Sequence, residues 1–117
     1  PSNVIIDRFI PQMHVLPKAS AVISHGGSGT VLAALSLGLP QLCLPFFADQ
    51  PLNARAVADA GAGLVLDLSS TNAVMITEAL ARLLTDQSFR QSAQQIAKEI
   101  REMPAPAEVA SALTRLG

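Results

Sequence analysis

Short runs that are apolar on consecutive residues constrain this chain more than any other feature. They are Val4–Ile6, Ala21–Ser24 ("AVIS"), Leu42–Leu44 and Leu64–Leu66. A strand with one face in water alternates apolar and polar residues, whereas a strand covered on both faces does not. Four such runs therefore predict strands of a parallel sheet with helices on either side. Helical patterns fill the intervals. Pro11–Leu16 is a short turn stopped by Pro17. Gly29–Leu37 is apolar nearly all round, which predicts a buried helix, and Gly38 and Pro40 close it. Pro51–Ala60 is alanine-rich and ends at Gly61. Asn72–Thr85 follows Ser70 and Thr71 as caps and carries Ile76, Leu80, Leu83 and Leu84 on one stripe. Ser88–Glu102 and Glu108–Leu116 are further helices, parted by "MPAPA". The order β, short α, β, α, β, α, β and then helices predicts an α/β fold. It is a Rossmann-like parallel sheet flanked by helices, in one domain of 117 residues.

Charge limits the partners. Eight basic and nine acidic residues leave a net charge of −1, with no basic run. Nucleic-acid binding rests on clustered Lys and Arg, so it is not expected here. Any phosphate must be held by groups other than a lysine patch. No segment approaches the length of a membrane span, and "PSNVIIDRF" lacks the parts of a signal peptide. The single cysteine, Cys43, lies in the apolar run "QLCLP" and reads as a small buried hydrophobe, with no sign of secretion. A cytoplasmic location is expected.

"HGGSGT", His25 to Thr30, follows a predicted strand and opens a predicted helix. In a parallel α/β sheet, ligands bind at the carboxyl ends of the strands, where this turn lies. Glycine lets backbone approach a ligand closely. The first N–H groups of a helix lack internal partners and carry partial positive charge. Together these features make an anion site without lysine. Ser28 and Thr30 add hydroxyls, and His25 at the strand end is placed to donate a hydrogen bond to a phosphate oxygen. A helix start facing His25 favours its neutral form before ligand binds. The pattern is neither GxGxxG nor a Walker loop. A tight turn capped by His25 is the plainer reading of the same residues.

Two more motifs belong to the same sheet edge. "PFFADQ", Pro45 to Gln50, follows the third run, and an adjacent carboxylate and amide suit several sugar hydroxyls. Asp49 equally suits the cap of the helix opening at Pro51, and both roles can hold. "DRFIPQ", Asp7 to Gln12, follows the first run. Phe9 offers a flat face and the backbone near Ile10 a base-pairing edge, although Phe is usually a core residue.

"FIPQ", "HGGSGT" and "PFFADQ", in this order, resemble the donor-binding half of GT-B glycosyltransferases. The closest flavour is the bacterial class that glycosylates macrolides and related antibiotics. The similarity extends to the tail "LLTDQSFRQSAQQIAKEIREMPAPAEVASAL". The resemblance implies inverting transfer of a sugar from a thymidine or uridine diphosphate sugar to a small-molecule acceptor, with no metal and no further cofactor. It implies that His25, Gly27, Ser28, Gly29 and Thr30 surround the diphosphate. Asp49 and Gln50 would hold the sugar, and Phe9 and Ile10 would sit by the base. Plant relatives carry a tryptophan where Phe9 stands, so stacking on the base would differ.

A complete enzyme of this family is several times longer. The abrupt opening into "NVII" predicts a portion of a longer chain, with the acceptor domain and catalytic base elsewhere. His14 reads as a solvated surface residue, and His25 is committed to phosphate. By itself the chain is expected to be inactive. Two alternatives share the pattern: the lipid-intermediate N-acetylglucosamine transferase of peptidoglycan synthesis, and a non-catalytic nucleotide-binding subunit. A flavodoxin-like or NAD-binding half fits less well, because its fingerprint glycines and distal acid are missing.

Overall fold

A computed structural model describes residues 2–103. The predicted helix Glu108–Leu116 lies outside the described residues. The elements in chain order are α1 (Gln12–Val15), a 3-10 turn (Leu16–Lys18), β1 (Val22–Ser24), α2 (Ser28–Ser36), β2 (Gln41–Cys43) and α3 (Gln50–Asp59). There follow β3 (Gly63–Val65), a second 3-10 turn (Leu68–Ser70), α4 (Ala73–Thr85) and α5 (Gln87–Glu102). The strands are parallel, in the order β1-β2-β3, with Ser24, Cys43 and Val65 in register at their carboxyl ends.

Both faces of the central strand β2 are covered, as its consecutive apolar run predicts, whereas Ile23 of β1 and Val65 of β3 are exposed. Leu42 and Leu64 pack with Ala79 and Leu83 of α4 on one face. On the other, the Gln41 side chain reaches the Val31 carbonyl of α2 at 3.2 Å. Val31, Val57, Ala62 and Ala93 form a cluster where α2, α3 and α5 meet. Phe89, Ala93 and Ala97, spaced by one helical turn, are the buried line of α5.

Val4–Ile6 is not a strand. The segment is irregular, with Ile5 and Ile6 86% and 90% exposed. Among the described residues the sheet consists of β1, β2 and β3, and no strand there pairs with this segment. The pattern of Val4–Ile6 is local, but a strand needs a partner.

Smaller differences also have causes. The cap of α4 is Asn72, whose side chain accepts from the Met75 amide at 2.9 Å, not Ser70 or Thr71. Asp67 draws Ser69, Ser70 and Thr71 into the 3-10 turn instead. Leu84 is 52% exposed, because the seam of α4 against the sheet runs through Ile76, Ala79 and Leu83. α2 buries Val31 and Ala34 but leaves Leu32 exposed on its outer side. Asp86 caps α5 by accepting from the Ser88 hydroxyl and amide, which hold its carboxyl below the usual range. That contribution is complete above the ordinary carboxylate range and is lost as pH falls through the lowered value.

Cys43 is fully buried, and burial pushes its thiol up to about 11. Thiolate is the reactive form, so the native chain is expected to resist an aromatic disulfide reagent at mildly alkaline pH and to react fully once unfolded. Rapid labelling of the native chain would show that β2 opens readily.

Candidate functional site

Because the strands are parallel and in register, the loops after β1 and β2 leave the same sheet edge side by side. The Leu44 amide still bonds to the Ser24 carbonyl at 2.8 Å, so the loops stay joined for one residue past the ladder. His25 lies immediately beyond. Its Nδ1 is 3.0 Å from the Leu44 carbonyl oxygen. A carbonyl only accepts, so Nδ1 carries the hydrogen. In a neutral ring Nε2 is then a bare lone pair, and it donates only when the ring is an imidazolium.

Gly26 turns the chain from strand to helix. Its φ of +88° is left-handed, and a Cβ there would lie 3.1 Å from the Gln50 carbonyl oxygen. The Gly26 amide donates to Ser24 Oγ at 3.1 Å, and its carbonyl accepts from Asn53 Nδ2 at 2.9 Å. Gly27 occupies the N-cap position of α2, with φ −61° and ψ 142°, and no side chain caps this helix. The first intrahelical bond runs from the Val31 amide to the Gly27 carbonyl at 2.9 Å. The amides of Ser28, Gly29 and Thr30 precede it and have no helical acceptor. A Cβ added at Gly27 or Gly29 meets nothing within 4 Å. The conformation of Gly27 suits any residue, and an alanine at Gly29 would favour the helix. Internal packing thus gives no reason for glycine at either position. The uncapped amides and the bare glycine backbone lie together in the first turn of α2.

The "PFFADQ" loop is held from within. Gln50 Oε1 accepts from the Phe46 and Phe47 amides at 2.9 and 3.0 Å. That bracket supports a turn in which Ala48 takes φ +59°, a left-handed value unusual for a residue with a side chain. The Gln50 oxygen is therefore occupied, and only its NH₂ group remains to donate. Asp49 stands at the N-cap position of α3, yet its side chain makes no capping bond. The exposed carboxylate stays free as an acceptor. Phe46 lies 6.3 Å from the His25 ring, centroid to centroid, and Phe47 packs edge-on to Phe46 at 5.6 Å.

The structure therefore brings His25, Gly27, Ser28, Gly29, Thr30, Asp49 and Gln50 to one sheet edge. Phe9 and Ile10 are exposed, Phe9 by 77%, so Phe9 is not a core residue. Among the described residues no hydrogen bond ties them to the glycine turn. His14 is exposed on α1. Asn53 was not among the predicted site residues. Its signal was a lone amide three residues after Gln50, on the same face of an alanine-rich helix. The larger cavities, of about 480 and 380 Å³, lie instead along β3, beside Arg82. Neither is lined by any predicted site residue. No cluster of three or more metal-ligating side chains forms among the described residues, and no helix there is long and apolar enough to cross a membrane.

Comparison with known proteins gives one consistent result. A family model described as erythromycin biosynthesis protein CIII-like, C-terminal domain, matches residues 1–116. Elloramycin glycosyltransferase ElmGT of Streptomyces olivaceus is 48% identical over 113 residues, covering 97% of this chain and 28% of that protein. The solved structure of spinosyn forosaminyltransferase SpnP superposes with a TM-score of 0.90 at 39% identity, over 99% of this chain and 31% of the other. Spinosyn rhamnosyltransferase SpnG complexed with thymidine diphosphate superposes with a TM-score of 0.87 at 38% identity, over 97% and 31%. The chain spans less than a third of the length of these relatives.

Proposed function

The chain belongs to the erythromycin biosynthesis protein CIII-like C-terminal domain family of glycosyltransferases, and from that premise we propose that it binds the nucleotide-diphosphate sugar in a natural-product glycosyltransferase. The observation that carries this reading is the open space over Gly27 and Gly29, beside the uncapped amides of Ser28, Gly29 and Thr30. A diphosphate seated there meets aligned N–H donors and the positive end of α2. SpnG, a relative of the same fold, is a thymidine diphosphate complex, which supports this class of ligand.

The chemistry follows from that placement. As the bond between the anomeric carbon and the phosphate oxygen breaks, the pair of electrons stays with the diphosphate. The amides of α2 stabilise the growing charge without a metal. Asp49 accepts from sugar hydroxyls and the Gln50 NH₂ donates to them, which orients the anomeric carbon. The acceptor oxygen attacks from the opposite face, inverting the centre, and passes its proton to a base. Phe9 and Ile10 are assigned to the nucleobase. The acceptor pocket and base are assigned to a part of the longer enzyme outside this chain, so the chain alone is expected to give no transfer to any acceptor.

Titration with thymidine and uridine diphosphates, followed by amide NMR, tests the site. The expected result is shifts centred on residues 25 to 30. Absence of binding, or shifts centred along β3, would overturn the assignment. His25 adds a second check. With Nδ1 committed to the Leu44 carbonyl, only Nε2 is left to face the phosphate. His25→Ala is therefore expected to weaken thymidine diphosphate binding, read by calorimetry. An unchanged affinity would remove His25 from the phosphate.

A further inference from the structure

We infer that Asn53 is a positioning residue that aims the Gly27 amide at the diphosphate. This rests on the donor-binding reading above. The Gly26 carbonyl and the Gly27 N–H belong to one peptide plane, and in a trans peptide they point in opposite directions. Asn53 Nδ2, from the second turn of α3, holds that carbonyl at 2.9 Å. The Gly27 N–H must then point away from α3. Among the described residues no acceptor takes the Gly27 N–H, so it is left to donate to a ligand.

The hold is needed because both neighbours are glycines. A peptide between two glycines can flip through about half a turn with little steric penalty, as the pairing of type I and type II turns illustrates. Ser24 Oγ fixes only the other side of Gly26, through its amide. Without Asn53 the Gly26–Gly27 plane is free to turn its carbonyl outward, toward an incoming anion. Asn53 therefore selects an amide donor over a carbonyl acceptor at the mouth of the site. It does so before ligand arrives, so no reorganisation is left for binding. Asn53 and Gln50 share the start of α3, and Gln50 brackets the Phe46–Ala48 turn beside Asp49. One helix start thus sets the diphosphate turn and the sugar loop in a common frame.

The test compares thymidine monophosphate with thymidine diphosphate in the unaltered chain and in Asn53→Ala. The unaltered chain is expected to prefer the diphosphate and to move its Gly27 amide resonance on binding it. In Asn53→Ala that preference is expected to fall about tenfold, with the Gly27 shift lost and monophosphate affinity kept. A purely structural role would lower the melting temperature without moving the ratio. If Asn53→Ala melts below the assay temperature, Asn53→Ser serves, since its shorter hydroxyl stops short of Gly26. An unchanged ratio with an intact Gly27 shift would overturn the inference and leave the donor site standing. An unaltered chain that binds neither nucleotide would overturn both.

Discussion

Gly63→Ala is expected to cost the chain about 4 kcal/mol or more of stability and to blur or abolish cooperative unfolding. Gly63 opens β3 opposite Gln41 of β2. A Cβ there would run into the Gln41 backbone oxygen and lie 2.8 Å from Val57 Cγ1. Neither neighbour can yield. The oxygen belongs to the central strand, and Val57 is 2% exposed in the cluster that joins α2, α3 and α5. The backbone of Gly63 is ordinary, so the demand is for space and not for a left-handed turn. Domains have only about 5–15 kcal/mol in hand. A urea titration followed by circular dichroism gives the reading. A midpoint equal to that of the unaltered chain would mean that β2 and β3 are not held tightly together at that pair.

Gly29→Ala is expected to do the reverse: keep the fold and lose the ligand. The added methyl meets no protein atom within 4 Å and sits in the first turn of α2. Alanine is the better helix former by up to about 1 kcal/mol, so the melting temperature is expected to hold or rise. If the diphosphate lies against those amides, the methyl occupies its place. An overlap of that kind costs about 1–3 kcal/mol, or about five- to 150-fold in affinity. Thermal unfolding and calorimetry on one preparation separate the two effects. A variant that binds thymidine diphosphate as tightly as the unaltered chain would detach the glycines from the ligand.

The sheet and its helices were legible because their signals are local or periodic. The runs at Ala21–Ser24, Leu42–Leu44 and Leu64–Leu66 became strands within about a residue at each end, and Gly38 and Gly61 closed the expected helices. The uncapped start of α2 was also readable, since strand, glycines and helix follow one another in sequence. What escaped depends on partners distant in the chain. Val4–Ile6 has the composition of a strand and no neighbour among the described residues to pair with. The direction of the His25 ring is set by a carbonyl nineteen residues on, at Leu44. The Gln50 oxygen, expected to face sugar, is spent on its own loop. Asn53 matters only because α3 returns beneath the turn that Gly26 makes. Composition could name the chemistry of each side chain but not which of its atoms were already taken.

Among the described residues, no strand pairs with the outer margin of β1 or of β3. On the first, Ile23 is 46% exposed at the centre of β1, and Ile5 and Ile6 sit uncovered on the preceding segment. Unpaired backbone bordered by β-branched side chains is a template for adding strands from another molecule. The chain is therefore expected to self-associate as its concentration rises, read by light scattering. Self-association should begin at the β1 margin, and a lysine in place of Ile23 should delay it.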